Sequence, residues 1–198
     1  MGNTIVALLG SPLKGNAALL LENAISGAEK EGATVLLYHV PHLRFSSCLE
    51  LGFCKKYPSC QMEDEITALF PILASANGFI IATPVMTMGV PGALKTFIDR
   101  CHVFFYAKYI RKDPMVSAEL SKTRKTLVLA ISGMNRQDNF DGLMQVLHAY
   151  CDIIDAPISD SLFIRDMDNI LDLQTRPDLL QQAYEKGARL ANEIQIIL

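Results

Sequence analysis

Short, uninterrupted apolar runs separated by segments of helical character constrain the fold of this chain more than any other feature. We predict strands at Thr4–Leu9, Thr34–Val40, Gly78–Ala82, Thr126–Ile131 and Ile158–Ile164. A strand without polar alternation is typical of a parallel sheet that helices cover on both faces. Because right-handed crossovers join such strands, the pattern predicts a three-layer α/β sandwich with a five-stranded parallel sheet.

Helical segments fill the intervals between these strands. We predict a helix from a cap at Asn16 to about Lys30, another from a cap at Asp64 to about Ala76, a third from about Pro91, a fourth up to about Tyr150 and a fifth over Arg176–Ile197. The segment 111–125 is interpreted as an exposed excursion. With 198 residues and no internal repeat, we expect one domain over residues 1–198.

Composition excludes several functional classes. The net charge is −3 and no basic stripe stands out, which argues against nucleic acid as a partner. No basic region precedes the first apolar run, so we expect no secretory signal. The uncharged stretch Ile66–Leu94 is interrupted by Pro71 and Pro84 and lacks the roughly 20 continuous apolar residues of a membrane span. Five cysteines, an odd number, favour reduced thiols over a disulfide framework, and we expect a cytoplasmic protein.

Ligands of open α/β sheets bind at the carboxyl ends of the strands, which selects three loops. They are residues 10–16, 83–92 and 132–141. A phospho-receiver domain would need acidic residues at these strand ends to hold Mg²⁺. The first strand ends in Leu9-Gly10 and the third in Thr83-Pro84, so that alternative is disfavoured.

The first loop begins like a triphosphate-binding loop, with the outline G-x-x-x-x-G from Gly10. Such a loop continues with Lys and then Ser or Thr, whereas this chain has Asn16 and Ala17. What remains is a tight turn into a helix, with Ser11, Lys14 and Asn16 as donors, which suits one compact dianion without a metal. On the chemistry of this loop alone, a plain strand-to-helix turn explains the residues equally well.

Three stretches resemble a known family: "GSPLKGNA", "CLELGFCKKYPSC" and "TPVMTMGVPGALKTFIDR". Together they are similar to the NADPH-dependent FMN reductase and iron–sulfur flavoprotein group of the flavodoxin-like superfamily. The resemblance runs from the first strand to about Arg100, half of the chain. It implies a flavodoxin-like sheet of strand order 2-1-3-4-5, with FMN at the switch point.

The resemblance also implies which residues bind FMN. The phosphate would contact Ser11, Lys14, Gly15, Asn16, Ala17 and Ala18, the isoalloxazine would lie along Pro84, Val85, Met86, Thr87, Met88 and Gly89, and Ser132, Gly133, Met134 and Asn135 would close over its other edge. Family members often have Arg at position 13, Thr at 17 and Tyr at 86. Leu13 and Ala17 each remove a potential phosphate donor, so we expect weaker binding of flavin.

The cysteine stretch departs from the iron–sulfur relatives. They resemble C-x₂-C-x₂-C-x₄₋₇-C here, while this chain has Cys48, Leu51, Cys54 and Cys60. A [4Fe–4S] cluster normally takes four thiolates, so this loop would need a substitute ligand. Zinc would also want a fourth ligand, for which His42 is a candidate. We favour three reduced thiols without a metal. His39, His42, His102 and His148 form no metal-ligand spacing, and we expect a solvated or core role for each.

The resemblance implies an FMN-dependent oxidoreductase that passes electrons from NAD(P)H to a quinone, flavin or similar small-molecule acceptor. The alternatives are an electron-transfer protein like the iron–sulfur flavoproteins and a non-catalytic flavin-binding protein. Because the chemistry belongs to the cofactor, we predict no catalytic residue. The aromatic segment Val103–Ile110 is either ordinary core or an apolar patch that a homodimer or homotetramer buries.

Overall fold

The computed structural model describes residues 3–194, and within them five parallel strands form one sheet. The strands are β1 (Thr4–Leu9), β2 (Thr34–His39), β3 (Gly78–Pro84), β4 (Lys125–Ile131) and β5 (Ile158–Ile164), in the order β2-β1-β3-β4-β5. The predicted fold class and strand order are confirmed. β2 is one residue shorter than predicted, because Val40 opens a 3₁₀ turn.

Helices connect the strands. They are α1 (Asn16–Lys30), α2 (Glu65–Ser75), α3 (Gly92–Arg100), α4 (His102–Phe105), α5 (Asp141–Ile153), α6 (Met167–Ile170) and α7 (Pro177–Glu193). Asp64 caps α2 as predicted, since its carboxylate accepts from the Thr67 amide at 3.2 Å. The predicted end of the last helix at Ile197 lies outside the described residues. No helix within residues 3–194 is long and apolar enough to cross a bilayer.

Alternate side chains of the central strands feed two separate cores. Val6, Leu8, Phe79 and Ile81 pack with α2, α3 and α5 on one face. Ile5, Ala7, Ile80 and Ala82 pack with α1 and α7 on the other. Both faces of the central strands are therefore buried, which explains their uninterrupted apolar sequences.

Helices α1 and α7 cross with their backbones in contact. A Cβ at Gly27 would lie 2.0 Å from the carbonyl oxygen of Tyr184, and one at Gly187 would lie 1.9 Å from that of Ala24. A side chain at either position would force the helices apart, so only glycine permits this crossing. The helix whose first turn follows the first loop is thus held by the last helix of the chain.

Residues 111–125 are not simply the exposed excursion that we predicted. Val116 and Arg124 are buried, at 3% and 1% exposure. The guanidinium of Arg124 reaches the main-chain carbonyls of Leu73 and Ile154 and covers the ring of Phe79. A charged residue with these partners can lie in the interior, which the hydropathy of the segment did not reveal.

The segment Val103–Ile110 lies partly in the core, as one of the two predictions had it, and partly on the surface. It folds as α4 followed by a π-helical turn over Tyr106–Arg111. Val103, Phe104 and Ala107 are buried in the core, while Tyr109 and Ile110 are exposed. Beside them a groove of about 610 Å³ opens between α3, α4 and α5.

Candidate functional site

The three predicted loops lie side by side at the carboxyl edge of the sheet. Each continues the hydrogen bonding of its strand by one step. The Gly10 amide donates to Ala82, the Val85 amide to Ile131 and the Ser132 amide to Ile164, all at 2.8 Å. The loops therefore start from fixed positions in neighbouring order, as parallel pairing requires.

The first loop presents a row of free main-chain donors. Gly15, not Asn16, is the N-cap of α1, and no side chain caps this helix. Within the described residues, the amides from Lys14 to Ala17 donate to no other group, whereas the Ala18 amide already donates to the Gly15 carbonyl at 2.9 Å. The first turn of a helix leaves such amides unpaired, and they attract anions.

Asn16 has a different role from the predicted cap. Its side-chain amide donates to the Leu171 carbonyl at 2.7 Å and accepts from the Leu173 amide at 2.9 Å. Asn16 thereby holds a segment that follows β5, residues 165–173, which we call the strap. One of its two amide hydrogens is used in this contact, so its capacity to bind a phosphate is reduced.

The strap also contacts the third loop. The Met167 amide donates to Ser132 at 3.0 Å and the Asp168 amide to Gly133 at 3.1 Å. A Cβ at position 133 would lie 2.5 Å from Oδ1 of Asp168, so any larger residue there would have to displace this carboxylate. The strap was missed at the level of sequence, although any segment after β5 must leave the sheet at this same edge.

The second loop contains a tight, strained turn. Met86 and Gly89 exchange two main-chain hydrogen bonds at 2.9 and 3.0 Å, and the residues between them, Thr87 and Met88, have φ of +47° and +61°. Positive φ at both central positions defines a type I′ turn, in which glycine and asparagine are preferred. Backbone strain of this kind is found mostly at functional sites.

Large apolar side chains are exposed on these loops. Met86 on the second loop and Met134 on the third are 45% and 51% exposed, and Leu13 and Leu171 stand out on either side of Asn16. Ser132, by contrast, is buried. The site is thus polar at the start of α1 and apolar at the two neighbouring loops, as an amphipathic ligand would require.

The cysteine stretch forms a second feature. Cys48, Cys54 and Cys60 line one cavity of about 160 Å³ together with Leu51, Phe53, Met62 and Tyr106. Burial, and next the proximity of Cys60, raise the pKa of the Cys54 thiol. His42 does not line this cavity, because its ring lies against His39 with centroids 3.7 Å apart. Among residues 3–194, no three His, Cys, Asp or Glu side chains are arranged to hold a metal ion.

Arg100 anchors the cysteine stretch to α3. Its guanidinium pairs with Asp64 at 2.5 and 3.0 Å, donates to the Ser46 carbonyl at 2.9 Å and lies 3.7 Å from Sγ of Cys60. Burial alone would raise the pKa of Asp64, but the hydrogen bonds from Arg100 and the Thr67 amide hold it below its ordinary value. Arg100, the last residue of the stretch Thr83–Arg100 that resembles the family, therefore has a structural role.

Comparison with known proteins points to the family that the three sequence stretches resemble. A family described as NADPH-dependent FMN reductase matches residues 3–159. An iron-sulfur flavoprotein of Archaeoglobus fulgidus is 30% identical over 105 residues, 53% of this chain and 54% of that protein. One of Methanocaldococcus jannaschii is 26% identical over 147 residues, 74% of this chain and 69% of that protein. The chain thus spans about half the length of the first of these relatives.

Solved structures share the fold. An NAD(P)H:quinone oxidoreductase from Methanothermobacter marburgensis superposes with a TM-score of 0.68 at 16% identity, covering 96% of this chain and all (100%) of that one. A flavone reductase gives a TM-score of 0.69 at 16% identity, covering 96% of this chain and 62% of that one. At such identity these likenesses concern the fold alone. The family match, which extends over most of the described sheet, shows that the chain belongs to the NADPH-dependent FMN reductase family.

Proposed function

We propose that this protein is an FMN-dependent NAD(P)H oxidoreductase acting on a small-molecule acceptor such as a quinone or a flavin. The observation that carries the proposal is the meeting of two surfaces at one sheet edge. Unpaired amides at the start of α1 lie beside two loops that expose methionine side chains. The family match and the quinone oxidoreductase neighbour support the same reaction class.

The residues of the first loop fit a monophosphate ester. The amides of Lys14 to Ala17 are free to donate, and the Lys14 side chain is exposed. The Ser11 hydroxyl now donates to the Leu13 carbonyl at 2.9 Å and could rotate toward an anion. The side chains of Ala17 and Ala18 are buried in the core, so Ala17 would contribute only its amide. This donor set needs no metal.

The second and third loops fit an isoalloxazine ring. Met86 and Met134 offer polarizable thioethers, which pack favourably on aromatic rings. The turn Met86–Gly89 and the segment Ser132–Asn135 would orient the ring mainly through main-chain groups. When bound, FMN supplies the redox chemistry, taking electrons from a nicotinamide nucleotide and delivering them to the acceptor.

Flavin titration followed by anaerobic reduction tests the proposal. We expect the apoprotein to bind FMN with quenching of flavin fluorescence, and NADH or NADPH to bleach the bound flavin under anaerobic conditions. Lys14→Glu should weaken FMN binding at least tenfold, since it places a like charge beside the phosphate. The matched control is Lys30→Glu at the other end of α1, which should bind FMN like the wild type.

Three results would separate the alternatives. Absence of FMN binding by the wild type would refute the proposal. Binding without reduction by either nucleotide would identify a non-catalytic flavin-binding protein. Equal effects of Lys14→Glu and Lys30→Glu on FMN affinity would show that the phosphate does not bind at the first loop.

A second candidate is electron transfer through an iron–sulfur group, which the shared cavity of Cys48, Cys54 and Cys60 favours. Leu51 lines this cavity at the position where the resembling iron–sulfur motif has a cysteine. Anaerobic reconstitution with iron and sulfide tests it, with Leu51→Cys as the matched variant. Iron and sulfide in the wild type would support this candidate. If only Leu51→Cys binds iron, the cavity descends from a cluster site, and the present chain does not bind a cluster.

We also propose that the protein is a homo-oligomer. The exposed Tyr109 and Ile110 and the neighbouring groove lined by Ile98, Phe105 and Ile153 offer an apolar surface for a second copy. Light scattering of the wild type and of Ile110→Glu tests this. The wild type should have at least twice the mass of the variant, and a monomeric wild type would contradict the proposal.

A further inference from the structure

His39 contacts the first loop, a position that the sequence did not suggest. It is the last residue of β2, and the parallel register pairs it with Leu9, the last residue of β1. From there its ring nitrogen Nε2 lies 2.5 Å from the carbonyl oxygen of Ser11. Because a carbonyl can only accept, Nε2 carries the hydrogen in this contact.

This hydrogen bond fixes the peptide at which the first loop leaves the sheet. Before it, the Gly10 amide is bound to β3 through Ala82. After it, Pro12 has no amide hydrogen and the Leu13 amide donates to the Ser11 hydroxyl oxygen at 3.4 Å, so the free amides begin at Lys14. The orientation of the Ser11 carbonyl therefore affects where those amides point. The bond to His39 also directs this carbonyl toward β2, where its negative end does not oppose an anion.

The His39 ring is itself restrained. It is half-buried, and the ring of His42, on the 3₁₀ turn Val40–His42, packs against it with centroids 3.7 Å apart and planes at 50°. A donor whose ring already packs against a neighbour loses little conformational freedom when it binds. The arrangement has the features of a support for a binding loop, since one rigid group holds the loop from outside the ligand.

We propose that His39 is a positioning residue for the phosphate loop, and that it makes the protein prefer FMN over unphosphorylated riboflavin. The proposal rests on the function proposed above and names a residue that determines the specificity of that site. Within residues 3–194, His39 forms no hydrogen bond with the second or the third loop. Its loss should therefore affect the phosphate end of the ligand and leave the ring end unchanged.

Two variants test the hydrogen-bond donor and the aromatic ring of His39 separately. His39→Phe keeps an aromatic ring against His42 and removes the donor. His39→Gln places an amide nitrogen near the position of Nε2 and removes the ring. Dissociation constants for FMN and for riboflavin are measured by fluorescence quenching for both variants, the wild type and His148→Phe, a control at an exposed histidine on α5. Urea unfolding of each variant establishes that it is folded.

We expect His39→Phe to weaken FMN binding about tenfold and to change riboflavin binding less than twofold, which corresponds to the loss of one supporting hydrogen bond. His39→Gln should stay within about threefold of the wild type for both ligands. If His39→Phe has the same ratio of FMN to riboflavin dissociation constants as the wild type, the proposal is overturned. A preference for FMN that is lost in His39→Gln but kept in His39→Phe would also overturn it. A wild type that binds both flavins equally would do the same. A wild type that binds neither would instead refute the proposed function itself, which keeps the two failures distinct.

Discussion

At the scale of single residues, two buried arginines show that the same group can be stabilised in different ways. Arg100 is paired with a carboxylate, whereas Arg124 donates to two main-chain carbonyls near the carboxyl ends of α2 and α5. These helix ends carry partial negative charge, which compensates part of the cation. Burial nevertheless lowers the pKa of Arg124 to about 10. Each arginine ties together elements that are distant in sequence.

Arg124→Lys should destabilise the fold by about 2 kcal/mol. A single ammonium cannot span the carbonyls of Leu73 and Ile154, so one buried acceptor is left without a donor. Urea unfolding followed by circular dichroism measures the change. Arg136→Lys, at an exposed arginine, is the control and should change stability by less than about 0.5 kcal/mol. Equal effects of both substitutions would show that Arg124 has no bridging role.

Asp64→Asn should lower the free energy of unfolding by about 3 kcal/mol at pH 7, because it leaves the Arg100 side chain, 1% exposed, without its counter-charge. The folded pKa of Asp64 lies below the ordinary 3.8, so its contribution is present above that pH and is lost as the pH falls through the folded value. The difference between wild type and variant should therefore shrink below about pH 4. Unfolding curves from pH 7 to pH 3 measure it, with Glu63→Gln, at an exposed carboxylate, as control. A difference that stays constant over this range would contradict the assignment.

At the scale of elements, the turn between Met86 and Gly89 has a backbone conformation that its own residues disfavour. Thr87 and Met88 take a left-handed conformation in which a β-branched residue is especially unfavourable. Neither residue is the asparagine or glycine that a type I′ turn prefers. This strain lies at the proposed flavin loop and is stabilised by its neighbours, including the bond from the Val85 amide to Ile131.

Thr87→Asn should raise the free energy of unfolding by about 1 kcal/mol, since asparagine tolerates positive φ. Thr87→Val keeps the branched side chain and should give no gain, which makes it the matched control. Thermal or urea unfolding measures both variants. A stabilisation that Val reproduces would mean that the hydroxyl, not the backbone, is the source of the effect.

The sequence predicts an element well where burial on both sides restricts its residues to apolar ones. It predicts an element poorly where a single hydrogen bond or backbone angle decides the local structure. All five strands were predicted. The signal is clearest for β1, β3 and β4, whose two faces are both buried, whereas β2 and β5 are partly exposed and β5 carries the polar run Ser159–Ser161. The cap of α1 was assigned to Asn16 instead of Gly15, because a cap depends on backbone angles and on competing partners such as Leu171. The strap was not predicted, since residues 165–173 have no hydrophobic period.

At the scale of the whole molecule, the five cysteines divide into two classes. Cys101 and Cys151 are buried in the core, and burial raises the pKa of each thiol to about 12. Cys48, Cys54 and Cys60 are half-exposed around their cavity. The division follows the fold, since Cys101 and Cys151 lie at the end of α3 and within α5, whereas the other three lie in the segment between β2 and α2.

The native protein should therefore react rapidly with a thiol reagent such as Ellman's reagent at three positions and at all five after unfolding in denaturant. Of the three, Cys54 should react most slowly at neutral pH, because its raised pKa leaves less thiolate. Absorbance gives the count, and peptide mass spectrometry after alkylation identifies the sites. Rapid reaction of Cys101 or Cys151 in the native protein would contradict the division.

The crossing of α1 and α7 through Gly27 and Gly187 has a consequence for biosynthesis. The first loop and α1 leave the ribosome well before α7, the helix that packs against α1. A nascent chain that has reached residue 176 holds its whole sheet, but one face of α1 still lacks the helix Pro177–Glu193. Because domains complete their packing only when all contacting segments are available, the proposed phosphate loop is synthesised well before the helix that completes the packing around α1.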